Sequence, residues 1–328
     1  MTAPVGLLIG SHIPPADIPG LAALAETKGF GEVWLTEDLW YSSGVVAATA
    51  ALAATQTIPV GLGIQSAVTR HVSIQALDFA TIEAMFPGRF WPGIGLGLPA
   101  WLDQMGIMPP APMRAVREAV QHTKALLAGE SVTADATHKL SDIKLAYPAE
   151  TVPPIYVGAV GPKSIVQTGR IAEGLVASTT SGVAYIEWAR KLLDAGAAEA
   201  GDGKPRRIVT FALFCGDDDA ALARDSLRSV LAFYLFVMQG TDLITQYGIT
   251  DELAELATGG IERIAAEMPD EWLEDLAIAG TAEQCAAKIQ AFLDAGSDSV
   301  ILFPAPFERG EELVRFAGDR VIPLLERA

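Results

Sequence analysis

Cysteine, histidine and positive charge are all scarce in this chain of 328 residues. The two cysteines, Cys215 and Cys285, stand far apart in sequence. Two distant thiols give neither a disulfide framework nor metal-ligand spacing, so a reducing compartment is expected. The 4 histidines show no ligand pattern, and no metal is expected. Lys and Arg total 23 against 40 Asp and Glu, a net charge of −17. Such a surface repels phosphate backbones and anionic lipid, which argues against nucleic-acid and membrane partners. Long hydrophobic runs are missing too. The stretch near Val230–Met238 is too short to span a bilayer. The N-terminal MTAPVGLLIGSHIPP has no basic segment ahead of its short apolar run, unlike a secretory signal. A cytoplasmic location is the expectation.

What the chain has is apolar residues, at 50%, in a regular rhythm. Strand-like segments fall at Val5–Ile9, Glu32–Leu35, Val60–Ile64, Phe90–Ile94, Ile155–Val157, Leu175–Ala177, Ile208–Leu213 and Ser299–Leu302. Amphipathic helical stretches separate them, and a last helix covers about Glu311–Leu325. Eight strand–helix units in strict alternation predict an α/β fold, a (β/α)8 TIM barrel spanning 1–328 as one domain. A doubly wound sheet, the competitor, needs fewer strands. Two stretches break the rhythm. Residues 131–153 hold no long helix and read as an excursion after strand four. Residues 240–278 read as a helical insertion between strands seven and eight, overhanging the ligand face.

In such barrels the site lies at the C-terminal ends of the strands. There the sequence places Gly10-Ser11-His12, Thr36-Glu37-Asp38, Gly63-Ile64-Gln65-Ser66, Gly95-Leu96-Gly97, Gly158, Ser178-Thr179-Thr180-Ser181 and Phe303-Pro304. Glycines and hydroxyls dominate, and metal ligands are few. This suits a bulky organic cofactor held by backbone contacts. The stretch Gly158-Ala159-Val160-Gly161-Pro162-Lys163-Ser164 joins a strand to a helix. Free N–H groups at such a helix start make an anion site, while a tight turn without a ligand reads equally well.

Six blocks in register carry a resemblance. They are LAALAETKGFGEVWLTED, GIQSAVTRH, FPGRFWPGIGLG, REAVQHTKALLAGE, PPIYVGAVGPKSIVQTGRIAEG and IAGTAEQCAAKIQAFLDAGSDSVILFP. Together they resemble the luciferase-like monooxygenase superfamily, and the TRH and GAVGPKS versions resemble its deazaflavin-dependent branch. The resemblance implies a barrel, a homodimer or higher oligomer, and hydride exchange between coenzyme F420 and a small organic substrate. An FMN-dependent monooxygenase and a non-catalytic flavin-binding protein are the alternatives. It also implies that Gly158–Ser164 bind the cofactor's phosphodiester, with Ser178, Thr179 and Thr180 near it. Gly63-Ile64 match a bulge with a cis peptide bond behind the ring, and Gly95 and Gly97 let the backbone pass close to it. The sugar and alcohol dehydrogenases of the branch carry Asp-His after strand two, where this chain has Glu37-Asp38. They also carry Glu where Leu98 stands here. Both proton-transfer positions therefore differ, which argues against sugar or alcohol dehydrogenation and fits a reductase whose acid lies elsewhere, or a different substrate class.

Individual residues admit two readings each. Asp38 is a candidate acid/base, or a helix cap. Glu37 is a candidate at the branch's acidic position, or a structural contact. His12 ends strand one and offers a proton or a hydrogen bond to substrate, unless it is a plain loop histidine. Arg70-His71 could offset anionic parts of a cofactor or fix their loop. Gln65 and Ser66 could reach the ring edge. Trp40, Tyr41 and Trp101 lie in loops and could stack on substrate, whereas Trp91 reads as core.

Overall fold

The computed structural model describes residues 3–325, so the outermost positions of the expected 1–328 domain lie outside the described residues. In chain order its strands are β1 (Val5–Ile9), β2 (Glu32–Leu35), β3 (Val60–Ser66), β4 (Phe90–Gly95), β5 (Val132–Asp135), β6 (Lys139–Ile143), β7 (Tyr156–Gly158), β8 (Gly174–Ala177), β9 (Arg207–Gly216), β10 (Ala277–Gly280) and β11 (Ser299–Pro304). Eight of them run parallel in the order β11, β1, β2, β3, β4, β7, β8, β9, and β9 pairs back with β11 to close the ring. Helices lie between successive barrel strands, as right-handed crossovers require. This is the (β/α)8 barrel.

A ninth parallel strand, β10, was not expected. It pairs with Leu213–Gly216 of β9, above the stretch Arg207–Thr210 that pairs with β8. Its four residues follow a helix without a turn residue between, so nothing marks it in LEDLAIAG. Residues 240–276 form four short helices, Asp242–Thr245, Thr250–Ala257, Gly260–Glu267 and Asp270–Leu276. Strands β5 and β6 make an antiparallel ribbon outside the barrel. A short helix, Pro99–Met105, was also unforeseen. It starts on a proline and ends at Gly106, whose φ of 68° suits only glycine well.

Side chains alternate between the barrel interior and the helix layer. On β2 the interior positions are Glu32 and Trp34. The fully buried Trp34 indole lies edge-on to Tyr156 and Phe211. Space for it comes from β3, where a Cβ on Gly61 would lie 2.3 Å from the indole ring. Below it, at the N-terminal end of the barrel, Arg207 pairs with Glu32 at 3.2 Å and donates to the Tyr156 hydroxyl at 3.0 Å. Trp34 Nε1 also donates to Glu32 at 2.6 Å. Burial pushes the Tyr156 phenol up to about 12, against the pull of Arg207. Such an end plug serves stability. Trp34→Ala should therefore cost about 3–5 kcal/mol, measured by urea unfolding, because no neighbour can fill the space.

Candidate active site

Alternation decides what the end of β2 presents. Glu37 and Asp38 are adjacent, so they point to opposite sides. Glu37 points outward. Its carboxylate takes Arg70 at 3.0 Å and the Gly44 N–H at 3.0 Å, at the start of helix Gly44–Ala54. Arg70 also reaches Ser43 and Asp78. Glu37 is thus committed to fixing loops, and its candidacy as a catalytic group is corrected. Arg70 is held in that same cluster.

Asp38 lies on the mouth side. Ser11 Oγ, at the end of β1, donates to Asp38 Oδ2 at 2.5 Å. His12 follows, its ring stacked on Phe307 at 3.7 Å and tilted against Phe303 at 5.4 Å. Burial among these rings drives the imidazole down to about 4, against the opposing pull of Asp38 and Glu308. His12 is therefore neutral at pH 7. From helix Ala220–Val237, Tyr234 comes close enough to feel Asp38 and Thr179 and packs on Phe303. Ser11 stood among the strand-end residues without a role, and Tyr234 was not singled out from sequence. Tyr234 left one trace there, a polar tip in the apolar run VLAFYLFV.

The floor of the mouth is Ile64. The β3–β4 register slips between Leu62 and Gln65, placing one extra residue on β3. A bulge of this kind turns two consecutive residues to one face. Here Gly63 and Ile64 both turn inward, joined by the cis bond the sequence led one to expect. Ile64 rests on glycine: a Cβ on Gly93, Gly95 or Gly158 would come 3.0, 2.8 or 3.1 Å from its side chain. Gly95 thus makes room for Ile64. Gly97, at φ 85°, turns the chain beside Ser66.

The bulge also reverses Gln65, which is fully buried and accepts from Gln75 Nε2 at 2.8 Å in the helix layer. Ser66 donates to the Leu96 carbonyl at 2.6 Å. Gln65 is thereby held in the helix layer and its cofactor assignment is corrected, whereas Ser66 pairs with inward-facing Gly95.

The loop after β7 behaves as an uncapped helix start. Helix Pro162–Ile171 has Gly161 as its N-cap, with no side-chain cap. Ser164 Oγ is turned back to donate to the Gly161 carbonyl at 2.8 Å, and Lys163 is exposed. Ala159 is buried, and the Val160 carbonyl accepts from Tyr185. After β8, Ser178 is half-buried, while the fully buried Thr180 and Ser181 hydroxyls lack a partner among the described residues. An open helix start near orphaned hydroxyls fits a cofactor with an anionic tail, and the Ile64 floor fits a flat ring. No set of three or more His, Cys, Asp or Glu among the described residues could hold a metal.

At the rim, Trp40 adopts φ 74°, a left-handed conformation costing a non-glycine residue about 1–3 kcal/mol. Its Nε1 donates to Gln104 Oε1 at 3.1 Å, on the helix that carries Trp101. Trp40 and Tyr41 are 65% and 66% exposed, so both are available to a ligand.

A family model described as luciferase-like monooxygenase matches residues 2–299. The chain belongs to that family. The luciferase-like chain is 30% identical to 5,10-methylenetetrahydromethanopterin reductase of Methanolobus tindarius, over 96% of this chain and 100% of the relative. It is 30% identical to an F420-dependent glucose-6-phosphate dehydrogenase of Microbacterium testaceum, over 95% and 94%. The coenzyme F420-dependent tetrahydromethanopterin reductase structure from Methanopyrus kandleri superposes with a TM-score of 0.87 at 26% identity, covering 99% of this chain and 100% of that one.

His12 gives a pH dependence for this luciferase-like barrel. Its folded-state pKa lies below the unfolded value, so the unfolded chain binds the extra proton first. Stability should fall as pH drops from about 6.5 to about 4. His12→Gln should flatten that slope in urea unfolding measured at pH 4.5 and 7.

Proposed function

We propose that this protein exchanges a hydride between coenzyme F420 and a small organic substrate, in the manner of the reductases it resembles. The observation that carries the reading is the mouth itself. One carboxylate, Asp38, faces a glycine-seated floor, in a chain aligned end to end with a reductase. When bound, the deazaflavin supplies the hydride chemistry. The Gly158–Ser164 loop holds its phosphodiester on N–H groups, with Ser178, Thr179 and Thr180 beside it. Ile64 supports the ring from behind.

Asp38 takes the proton-transfer role. Ser11 occupies Oδ2, which leaves Oδ1 to exchange a proton with the substrate. His12, neutral in its aromatic slot, offers the substrate a hydrogen bond without adding charge. Trp40, Tyr41 and Trp101 form the rim on which an organic substrate stacks. General acid–base groups contribute about 10²–10⁴-fold to rate, so Asp38→Asn should lower kcat by that order at saturating cofactor. Its affinity for coenzyme F420, read by fluorescence titration, should stay the same. An unchanged kcat removes Asp38 from the chemistry. Tight FMN binding without F420 binding would turn the reading to an FMN-dependent monooxygenase. F420 binding without turnover of any acceptor would leave a carrier.

The assembly reading rests on two neighbouring helices. Val46 on Gly44–Ala54, and Ile74, Leu77 and Met85 on Val72–Met85, are large, apolar and exposed. Apolar patches of this kind mark contact surfaces, here with a second copy of the chain. Leu77→Glu should shift the sedimentation coefficient to that of a monomer. A wild-type protein that already sediments as a monomer refutes the assembly.

A further inference from the structure

Asp242 stands beside the helix start that the proposed function assigns to phosphate. It opens the helix Asp242–Thr245 in the segment between β9 and β10. A Cβ on Gly161, the N-cap of helix Pro162–Ile171, would lie 3.3 Å from Asp242 Oδ2 and 4.0 Å from Ser164 Oγ. The carboxylate therefore abuts the residue that begins the loop.

Its place is fixed by what surrounds it. Leu243 and Ile244, the next two residues, are fully buried. Tyr247, five residues on, accepts the Gly182 N–H at 2.6 Å, just ahead of helix Val183–Ala200. The Asp242 side chain itself makes no ion pair or hydrogen bond among the described residues. It is a free negative charge held against an otherwise open anion site.

A helix start carries about half an elementary positive charge. A phosphate monoester brings about −1.5 to −2 at pH 7, and its second proton leaves near pH 6. A phosphodiester brings a single charge at any pH near neutral. Repulsion from Asp242 grows in proportion to the ligand's charge. We propose that Asp242 makes this loop select a phosphodiester over a phosphate monoester, and so coenzyme F420 over FMN. The inference rests on the reading that the Gly158–Ser164 loop holds the cofactor's phosphate.

Asp242→Asn keeps the shape and removes the charge. Dissociation constants for FMN and coenzyme F420 would be measured by fluorescence titration at fixed ionic strength. The FMN constant should fall about tenfold in Asp242→Asn, and the F420 constant by only about three- to fivefold, because the repulsion scales with a ligand charge of about −1.5 to −2 against −1. In the wild type, FMN affinity should rise as pH drops through about 6, and Asp242→Asn should weaken that trend. Equal changes for both ligands, or none, overturn the inference. Asp242→Ala, checked by its thermal melt, covers the case in which Asn disturbs the fold. Ser164→Glu tests the underlying reading, since Glu at the third helical position favours the helix but puts charge in the loop. Unchanged F420 binding there sinks the loop reading and the inference with it. Weakened F420 binding, with a uniform response in Asp242→Asn, sinks the inference alone.

Discussion

The closed barrel has too little interior for large side chains on every strand, and the site depends on how that shortage is met. Trp34 takes the middle of the barrel, and Gly61 and Gly63 on the adjacent strand yield to it. Ile64 takes the upper layer, and Gly93, Gly95 and Gly158 on the next two strands yield in turn. Each bulky residue is matched by absent side chains across the strand gap, which keeps the packing dense without voids. The floor of the mouth is the top of this column. Its height and flatness follow from the order in which large residues and glycines alternate around the ring.

The same alternation sorts the polar residues. Glu37 and Asp38 are chemically alike, yet one fastens Arg70 and a helix start while the other meets Ser11 and the mouth. Period two was legible in the sequence, and so were the barrel, two strands residue for residue, and the loop after the fifth barrel strand. The placement of Glu37 and Gln65 was not. A resemblance lines up positions, but it does not say which side of a bulge a side chain leaves from. The extra residue in β3 sends Ile64 inward and Gln65 outward, and the local letters GLGIQS read smoothly through that point. Tyr234 and Asp242 were missed for another reason. Each comes from a segment far along the chain that folds back over the mouth, a long-range placement that no local pattern records. Strand β10 escaped because four apolar residues at the end of a helix carry no period of their own.

Charge sets the last constraint. A chain with a net charge of −17 binds an anion only if local dipoles overcome the general repulsion. At the loop after β7 the single cation, Lys163, is exposed, so the pull must come from N–H groups at a helix start and from hydroxyls. The partial positive charge of a helix start draws the more highly charged phosphate more strongly. A fixed carboxylate at the same point opposes each ligand in proportion to its charge and so turns the preference toward the singly charged one. At the other end of the mouth the logic is reversed. There His12 is kept neutral by aromatic packing, so Asp38 answers to Ser11 rather than to an imidazolium beside it.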